Sequence, residues 1–168
     1  MIDTVGGVAL NLSGLYGGSR SPRNWLSRIF KDKEAVRGKG GVHLVHGQDV
    51  ARAIVGCHQH WDNVSKGRWI ITDLRVYDWW DLAMSWGGEA LEELKRLQEQ
   101  EGRLSDEDAG DVKAALEEKG QIAKWVGECM VEEGVKALPR NSETLGRRLD
   151  AREFWNAVGV WPSVRRVG

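Results

Sequence analysis

Short apolar runs ended by glycine alternate with amphipathic stretches through the first half of the chain, whereas long charged amphipathic stretches fill the second. Val8 to Ser13 is an apolar run that ends at Gly14 and then Tyr16-Gly17-Gly18, a pattern that predicts a buried strand leaving a sheet through a glycine turn. Ser21-Pro22 starts a helix on which Trp25, Ile29 and Phe30 share one face. Val42 to Val45 is a second strand. Gln48 to Trp61 follows as a helix with Asp49 in its first turn, where a carboxylate favours the positive end of the macrodipole, and with Val50, Ala53, Ile54 and Cys57 facing the core. Arg68 to Thr72 is a third strand, and Asp73 or Asp78 leads into a helix carrying Trp79, Leu82, Ala83 and Trp86. This alternation predicts an α/β sheet with crossover connections. Beyond it, Ala90 to Gln100 and Asp106 to Val135 are helical, and Ser105-x-x-Asp108 has the form of a capping box with Asp in place of Glu. Gly134 and Pro139 stop that run, and Asp150 caps a last helix through Phe154, Trp155 and Val158.

Composition narrows the function classes. The 168 residues carry 24 Lys+Arg against 25 Asp+Glu, a net charge of -1 that excludes a generalised electrostatic grip on nucleic acid or an anionic membrane. The charge is uneven: residues 1–50 hold 7 basic and 4 acidic side chains, while 88–119 hold 5 and 11, so an acidic block begins after Gly87-Gly88. No apolar run approaches the ~20 residues of a membrane span, and the N-terminus lacks the basic start of a signal peptide. Cys57 and Cys129 are too few for a disulfide framework, so a reducing, cytoplasmic setting is expected. Nine Trp beside two Tyr and two Phe recur at helical spacing with aliphatics or flank strands, the placement of core residues.

Several site patterns are absent from the sequence: GxxxxGK[ST], HExxH, GxSxG and CxxC. The Gly38-Lys39-Gly40-Gly41 cluster precedes a strand, whereas a phosphate loop follows one, so it reads as a turn. His43, His46, His58 and His60, with Cys57 and Asp49, contain donors for zinc but no ligand spacing, and no metal site is expected. Arg20, Arg23, Arg28, Lys31, Lys33, Arg37 and Lys39 read as a solvated face because acidic residues intersperse and no aromatic platform accompanies them. Arg20 stands apart, since it follows a glycine turn at the end of a strand, where ligands of open α/β sheets bind.

Three segments, in order, resemble extended and atypical short-chain dehydrogenase/reductases, the NAD(P)-dependent epimerase/dehydratase group. Leu12 to Arg20 resembles the group's R-x-x-x-[VI]-Y-G-P-G-R segment after the sixth strand, with Asn11 in place of the opening Arg and Gly18 in place of Pro. Val42 to Asp49, followed by Val50 to Val55, is similar to F-[IV]-H-V-x-D-[VL]-A-x-A-[IL], and Gly67 to Asp73 is similar to the G-x-x-[YF]-N-[IV]-x-D strand. The stretch from Leu149 through Pro162 to Gly168 resembles the group's terminal signature. Together these cover about half of the chain.

The resemblance implies that Leu15, Tyr16 and Gly17 close over the nicotinamide end of NAD(P). It places Arg20 on the substrate side, and His46 and Asp49 in the segment that positions the substrate lobe, with the Asp49 carboxylate capping backbone amides. Val42 stands where sugar-nucleotide enzymes of the group carry an Arg, which argues against a nucleotide-sugar substrate. The group's GxGxxG turn and its Tyr-x-x-x-Lys do not occur in these residues, since neither Tyr16 nor Tyr77 has Lys four positions on.

The expectation is therefore an α/β fold: the C-terminal part of a Rossmann-like parallel sheet plus a mostly helical substrate lobe. Residues 1–87 would form the C-terminal part of the NAD(P)-binding fold, 88–135 a charged helical insertion and 136–168 a helical cap. The function implied is that of an NAD(P)-dependent epimerase/dehydratase-like oxidoreductase acting on a small molecule. This chain is read as its C-terminal half, with no catalytic residue and no tight cofactor binding of its own. The alternative is a stand-alone interaction module without catalysis. An isolated half-fold is expected to dimerise or aggregate through the unpaired edge of Val8 to Ser13.

Overall fold

The computed structural model describes residues 6–99 and 106–164, apart from the side chains of 106–109. The Ser105 capping box and the Gly168 end of the terminal signature lie outside the described residues. In chain order the elements are β1 (Ala9–Leu12), β2 (Gly14–Tyr16), a 3-10 turn (Pro22–Trp25), α1 (Leu26–Ile29), α2 (Lys33–Arg37), β3 (Gly41–Val42), β4 (Leu44–His46), α3 (Gly47–Gln59), α4 (Trp61–Val64), β5 (Arg68–Ile71), β6 (Tyr77–Asp78), α5 (Trp79–Glu99), α6 (Asp106–Glu132), a second 3-10 turn (Ser142–Thr144) and α7 (Arg152–Ala157). The fold is mixed α/β with small parallel ladders. It divides into an α/β unit of residues 6–21, 41–77 and 146–164 and a helical unit of residues 22–40 and 78–145.

In the α/β unit β1 runs parallel to β5, from Ala9 opposite Arg68 to Leu12 opposite Ile71. The expected run Val8 to Ser13 holds β1 alone, and a second strand, β2, follows where the glycine turn was expected to begin, because the chain changes partner at Ser13. The Ser13 N–H donates to Ile71 O at 3.0 Å, and the next N–H, of Gly14, donates to His43 O at 2.9 Å. β2 then pairs parallel with β4. The core beneath is built by Val45, Ala53, Cys57, Val64, Ile71, Phe154, Trp155 and Val158, with Leu10, Leu15 and Trp69 packed against it. Trp155 is fully buried and its indole N–H donates to Thr72 O at 3.0 Å, which meets the one polar demand of that ring.

The core face of α3 is rotated from the expected one. Ala53 and Cys57 are buried as predicted, but Ile54 is 57% exposed, and Asp49 and Gly56 are buried instead. Two contacts explain the rotation. Asp49 is drawn inward by backbone amides of the C-terminal segment, and Gly56 lets Val158 approach so closely that a Cβ there would stand 2.9 Å from the valine Cβ.

In the helical unit α5 is continuous through Gly87-Gly88, the point where the acidic composition begins. Glycine fits there because α5 and α6 cross tightly: a Cβ on Gly87 would lie 2.6 Å from both Lys119 O and Ala123 Cβ. Gly120 meets Leu91 in the same way, so the two helices run antiparallel along one seam. Trp80 is fully buried and donates to Val36 O at 2.7 Å, and Phe30 packs edge-on against Trp79 at 5.7 Å. Of the basic residues read as a solvated face, Lys33 and Arg37 are half-exposed and form a network with Glu128 and Glu132 of α6 and with Glu133 just after it. That network holds the Lys33 ammonium up to about 12, through the hydrogen bonds it donates to Glu128 and then Glu132.

Candidate functional site

The parallel pairing of β2 with β4 sets Tyr16 opposite His46, and the two rings meet edge to face with centroids 5.0 Å apart. Each strand ends there for a local reason. β2 stops because Gly17 and Gly18 both take positive φ, 116° and 59°, and the turn closes on itself through Gly17 N–H to Arg20 O at 3.0 Å and Arg20 N–H to Gly17 O at 3.1 Å. Proline, with φ fixed near −65°, cannot occupy position 18 of this turn, so Gly18 marks a geometry of its own. β4 stops because His46 becomes the N-cap of α3, its Nδ1 accepting from Gln48 N–H at 3.1 Å. That bond makes Nε2 the protonated nitrogen of a neutral ring. Nε2 lies over Gly17, where a Cβ would come within 2.4 Å of it, so glycine is required at 17 by both φ and space.

Tyr16, Gly17 and His46 are thus brought together, with Arg20 exposed at the far side of the turn. Two of the expected site residues are committed elsewhere. Leu15 packs on the core of the unit. Asp49 is fully buried and accepts from Ser163 N–H at 2.9 Å and Val164 N–H at 3.2 Å, so it fastens the C-terminal segment while His46 caps the helix. Ser163 Oγ in turn accepts from Arg52 at 2.6 Å.

A buried polar cluster at the end of β5 was not singled out from sequence. The Asp73 carboxylate, 3% exposed, accepts from the Tyr77 hydroxyl and from Arg75 N–H at 3.1 Å, while Thr72 Oγ1 accepts from Leu74 N–H at 2.9 Å. These bonds hold Leu74 in the left-handed region at φ 62°, a conformation that costs a branched side chain about 1–2 kcal/mol. The only sequence signal was Asp73 at the end of its strand motif, four residues before Tyr77. Burial, and then the charges of Asp73 and Asp49, hold the Tyr16 phenol above its ordinary value. Tyr16 is therefore neutral at pH 7, a hydrogen-bond donor and a wall rather than a general base.

Burial also pushes the Asp73 carboxyl above its ordinary 3.8, against the opposing pull of the Tyr77 hydroxyl. Between the unfolded and the folded value the folded chain keeps a proton that the unfolded chain has already lost, so stability is highest below the unfolded value and is lost as pH rises through the folded one. Asp73→Asn has no charge to desolvate and keeps polar partners for Arg75 and Tyr77. It is expected to be more stable than the parent at pH 7 and to lose that advantage at pH 4, as read from urea midpoints. The same difference at both values would contradict the sign.

The arrangement is not a dinucleotide cradle. β2 leads into a closed turn rather than a helix N-terminus, so no backbone amides are presented to a pyrophosphate by that strand. A separate groove of about 550 Å³ in the helical unit is lined by Arg23, Trp86, Glu89, Glu93, Arg96 and Lys119 and holds none of the expected site residues. Among the described residues no three His, Cys, Asp or Glu side chains cluster as metal ligands, and no helix is long and apolar enough to cross a membrane. Compared with known proteins, the chain matches no family model, no curated protein and no solved structure.

Proposed function

We propose that this chain is the C-terminal share of an NAD(P)-dependent epimerase/dehydratase-like oxidoreductase, with β1 and β5 as the last two strands of its doubly wound parallel sheet. The observation that carries the reading is that this parallel pair stands with one face open. Parallel strands belong to sheets covered on both faces, and two strands alone are marginal. Here Asn11 of β1, its register partner Ile70 of β5 and Arg68 two positions before it are all exposed, Ile70 by 37%. A longer sheet with further elements over that face accounts for the exposure.

The motif residues support the same order. Leu12 to Arg20 supplies the end of β1, then β2 and its turn. Val42 to Asp49 supplies β4 and the start of α3, and Gly67 to Asp73 supplies β5. Bound in the complete protein, NAD(P) would supply hydride transfer to or from a small-molecule carbonyl or alcohol. This chain's share is the wall formed by Tyr16, Gly17 and His46: a neutral phenol held by burial and an imidazole whose Nε2–H faces the turn. Arg20, exposed beyond that turn, is a cation available to the substrate side.

The reading is tested by incubating the purified 168-residue chain with NADH or NADPH and a panel of small carbonyl compounds. No oxidation of the nicotinamide is expected, because the residues here make only one side of a cofactor site. Measurable turnover by the chain alone overturns the proposal.

A further inference from the structure

We propose that the groove of the helical unit binds a small monocarboxylic acid, its carboxylate on Lys119 and its apolar body against Trp86. The inference goes beyond the oxidoreductase reading and rests on none of it, since the groove shares no residue with Tyr16, Gly17 or His46. Its volume of about 550 Å³ is that of a small-ligand site. Arg23 enters it from the first 3-10 turn, Trp86, Ala90 and Glu93 from α5, and Leu116 and Lys119 from α6. Lys119 stands beside Trp86, because its carbonyl oxygen would lie 2.6 Å from a Cβ on Gly87, the next residue of α5.

The Trp86 indole is the first mark of a ligand. Trp69, Trp80 and Trp155 each donate their N–H to a backbone carbonyl, of Val64, Val36 and Thr72. Trp86 is 3% exposed, yet its N–H bonds to no described residue, and a buried donor without an acceptor is costly. The Arg23 guanidinium lies over the ring, its Cζ 5.8 Å from the centroid, and pairs with Glu89 where both side chains are exposed. An exposed pair holds weakly, so an incoming acceptor can displace Arg23 from the ring and reach the N–H.

Electrostatics select the class of ligand. Among the charged side chains that line the groove, Arg23 pairs with Glu89, Arg96 with Glu93 at 3.4 Å, and Glu92 with Lys95 at 2.7 Å. Lys119, half-buried, pairs with none of the described residues. The ammonium and the indole N–H both call for an acceptor, which a carboxylate supplies and an amine does not. A phosphate dianion meets Glu89, Glu92 and Glu93, whereas a monoanion is matched by Lys119 alone. Trp86, Ala90 and Leu116 then give the apolar body its surface.

Isothermal titration calorimetry and NMR of the indole N–H groups, both on the full 168-residue chain, test the assignment. Phenylacetate is expected to bind with a Kd on the order of 1 mM, the range open to so small a ligand. Phenethyl alcohol, phenethylamine and phenyl phosphate are each expected to bind at least about tenfold more weakly, for want of the matched charge. The Trp86 indole resonance, assigned by sequential connectivities, is expected to move on titration with phenylacetate, while those of Trp80 and Trp155 stay in place. Lys119→Gln is expected to keep the parent's circular dichroism and to weaken phenylacetate about tenfold. Failure of phenylacetate to bind, equal binding of any of the other three compounds, an unmoved Trp86 resonance, or full affinity in Lys119→Gln would each overturn the site. Nicotinamide turnover plays no part in these readouts, so failure here and failure of the oxidoreductase reading are separable.

Discussion

Arg140→Ala is expected to cost the helical unit about 3–5 kcal/mol of folding stability, because it leaves a buried carboxylate without its partner. The Asp78 side chain is fully buried, and Arg140, 14% exposed, meets it at 2.7 Å through Nη2 and at 3.1 and 3.2 Å through Nε. The same guanidinium donates to Lys39 O at 2.7 Å and stacks on the Trp80 ring with its Cζ 3.9 Å from the centroid. Arg140 N–H adds a further bond to Asp78 at 2.8 Å. Deleting the side chain leaves the buried Asp78 charge with backbone donors alone, from Trp80 and residue 140, orphans the Lys39 carbonyl and uncovers the indole. Lysine is a poor substitute, since a point charge cannot make the fork and the stack at once. Arg140→Lys is therefore expected to recover less than half of the loss in urea unfolding. A loss below about 1 kcal/mol for the alanine variant would show the pair to be a surface-like bridge.

The second large effect is expected in the α/β unit. Trp155→Ala removes a fully buried ring that touches Phe154 at a centroid distance of 5.1 Å, and about 3–5 kcal/mol is expected for a cavity of that size. Trp155→Phe separates packing from polarity. It keeps most of the apolar contact but leaves the Thr72 carbonyl without its indole donor, a loss of about 1–3 kcal/mol. Both values are read from denaturant unfolding followed by far-UV circular dichroism. An alanine variant as stable as the phenylalanine variant would mean that the site collapses around the deletion.

Elements set by local pattern were legible in the sequence. The strand at Arg68, the helix from Gln48 and the helix carrying Trp79 through Trp86 follow from period and glycine placement, and the structure holds them within a few residues. Choices settled by distant partners were not. Nothing near Ser13 announces that its N–H and the next go to different strands. Asp49 reads as a helix cap until the Ser163 and Val164 amides, more than a hundred residues away, claim its carboxylate. Ile54 reads as core because the inward turn of α3 depends on that bond and on Val158 meeting Gly56. Asp78 and Arg140 lie 62 residues apart, and no local rule joins them.

The candidate site divides the same way. The Tyr16-Gly17 turn and His46 were visible as motif residues, and the parallel register brings them into contact. Asp73, whose charge acts on the Tyr16 phenol, and its partner Tyr77 emerged only from the way the chain leaves β5.

The central claim is that β1 and β5 are the closing strands of a longer cofactor-binding sheet. Reading the transcript upstream of the Met1 codon tests it most directly. The account predicts an open frame that continues into Tyr-x-x-x-Lys and, further upstream, Gly-x-Gly-x-x-Gly; an in-frame stop directly ahead of Met1, with neither motif encoded before it, would contradict it.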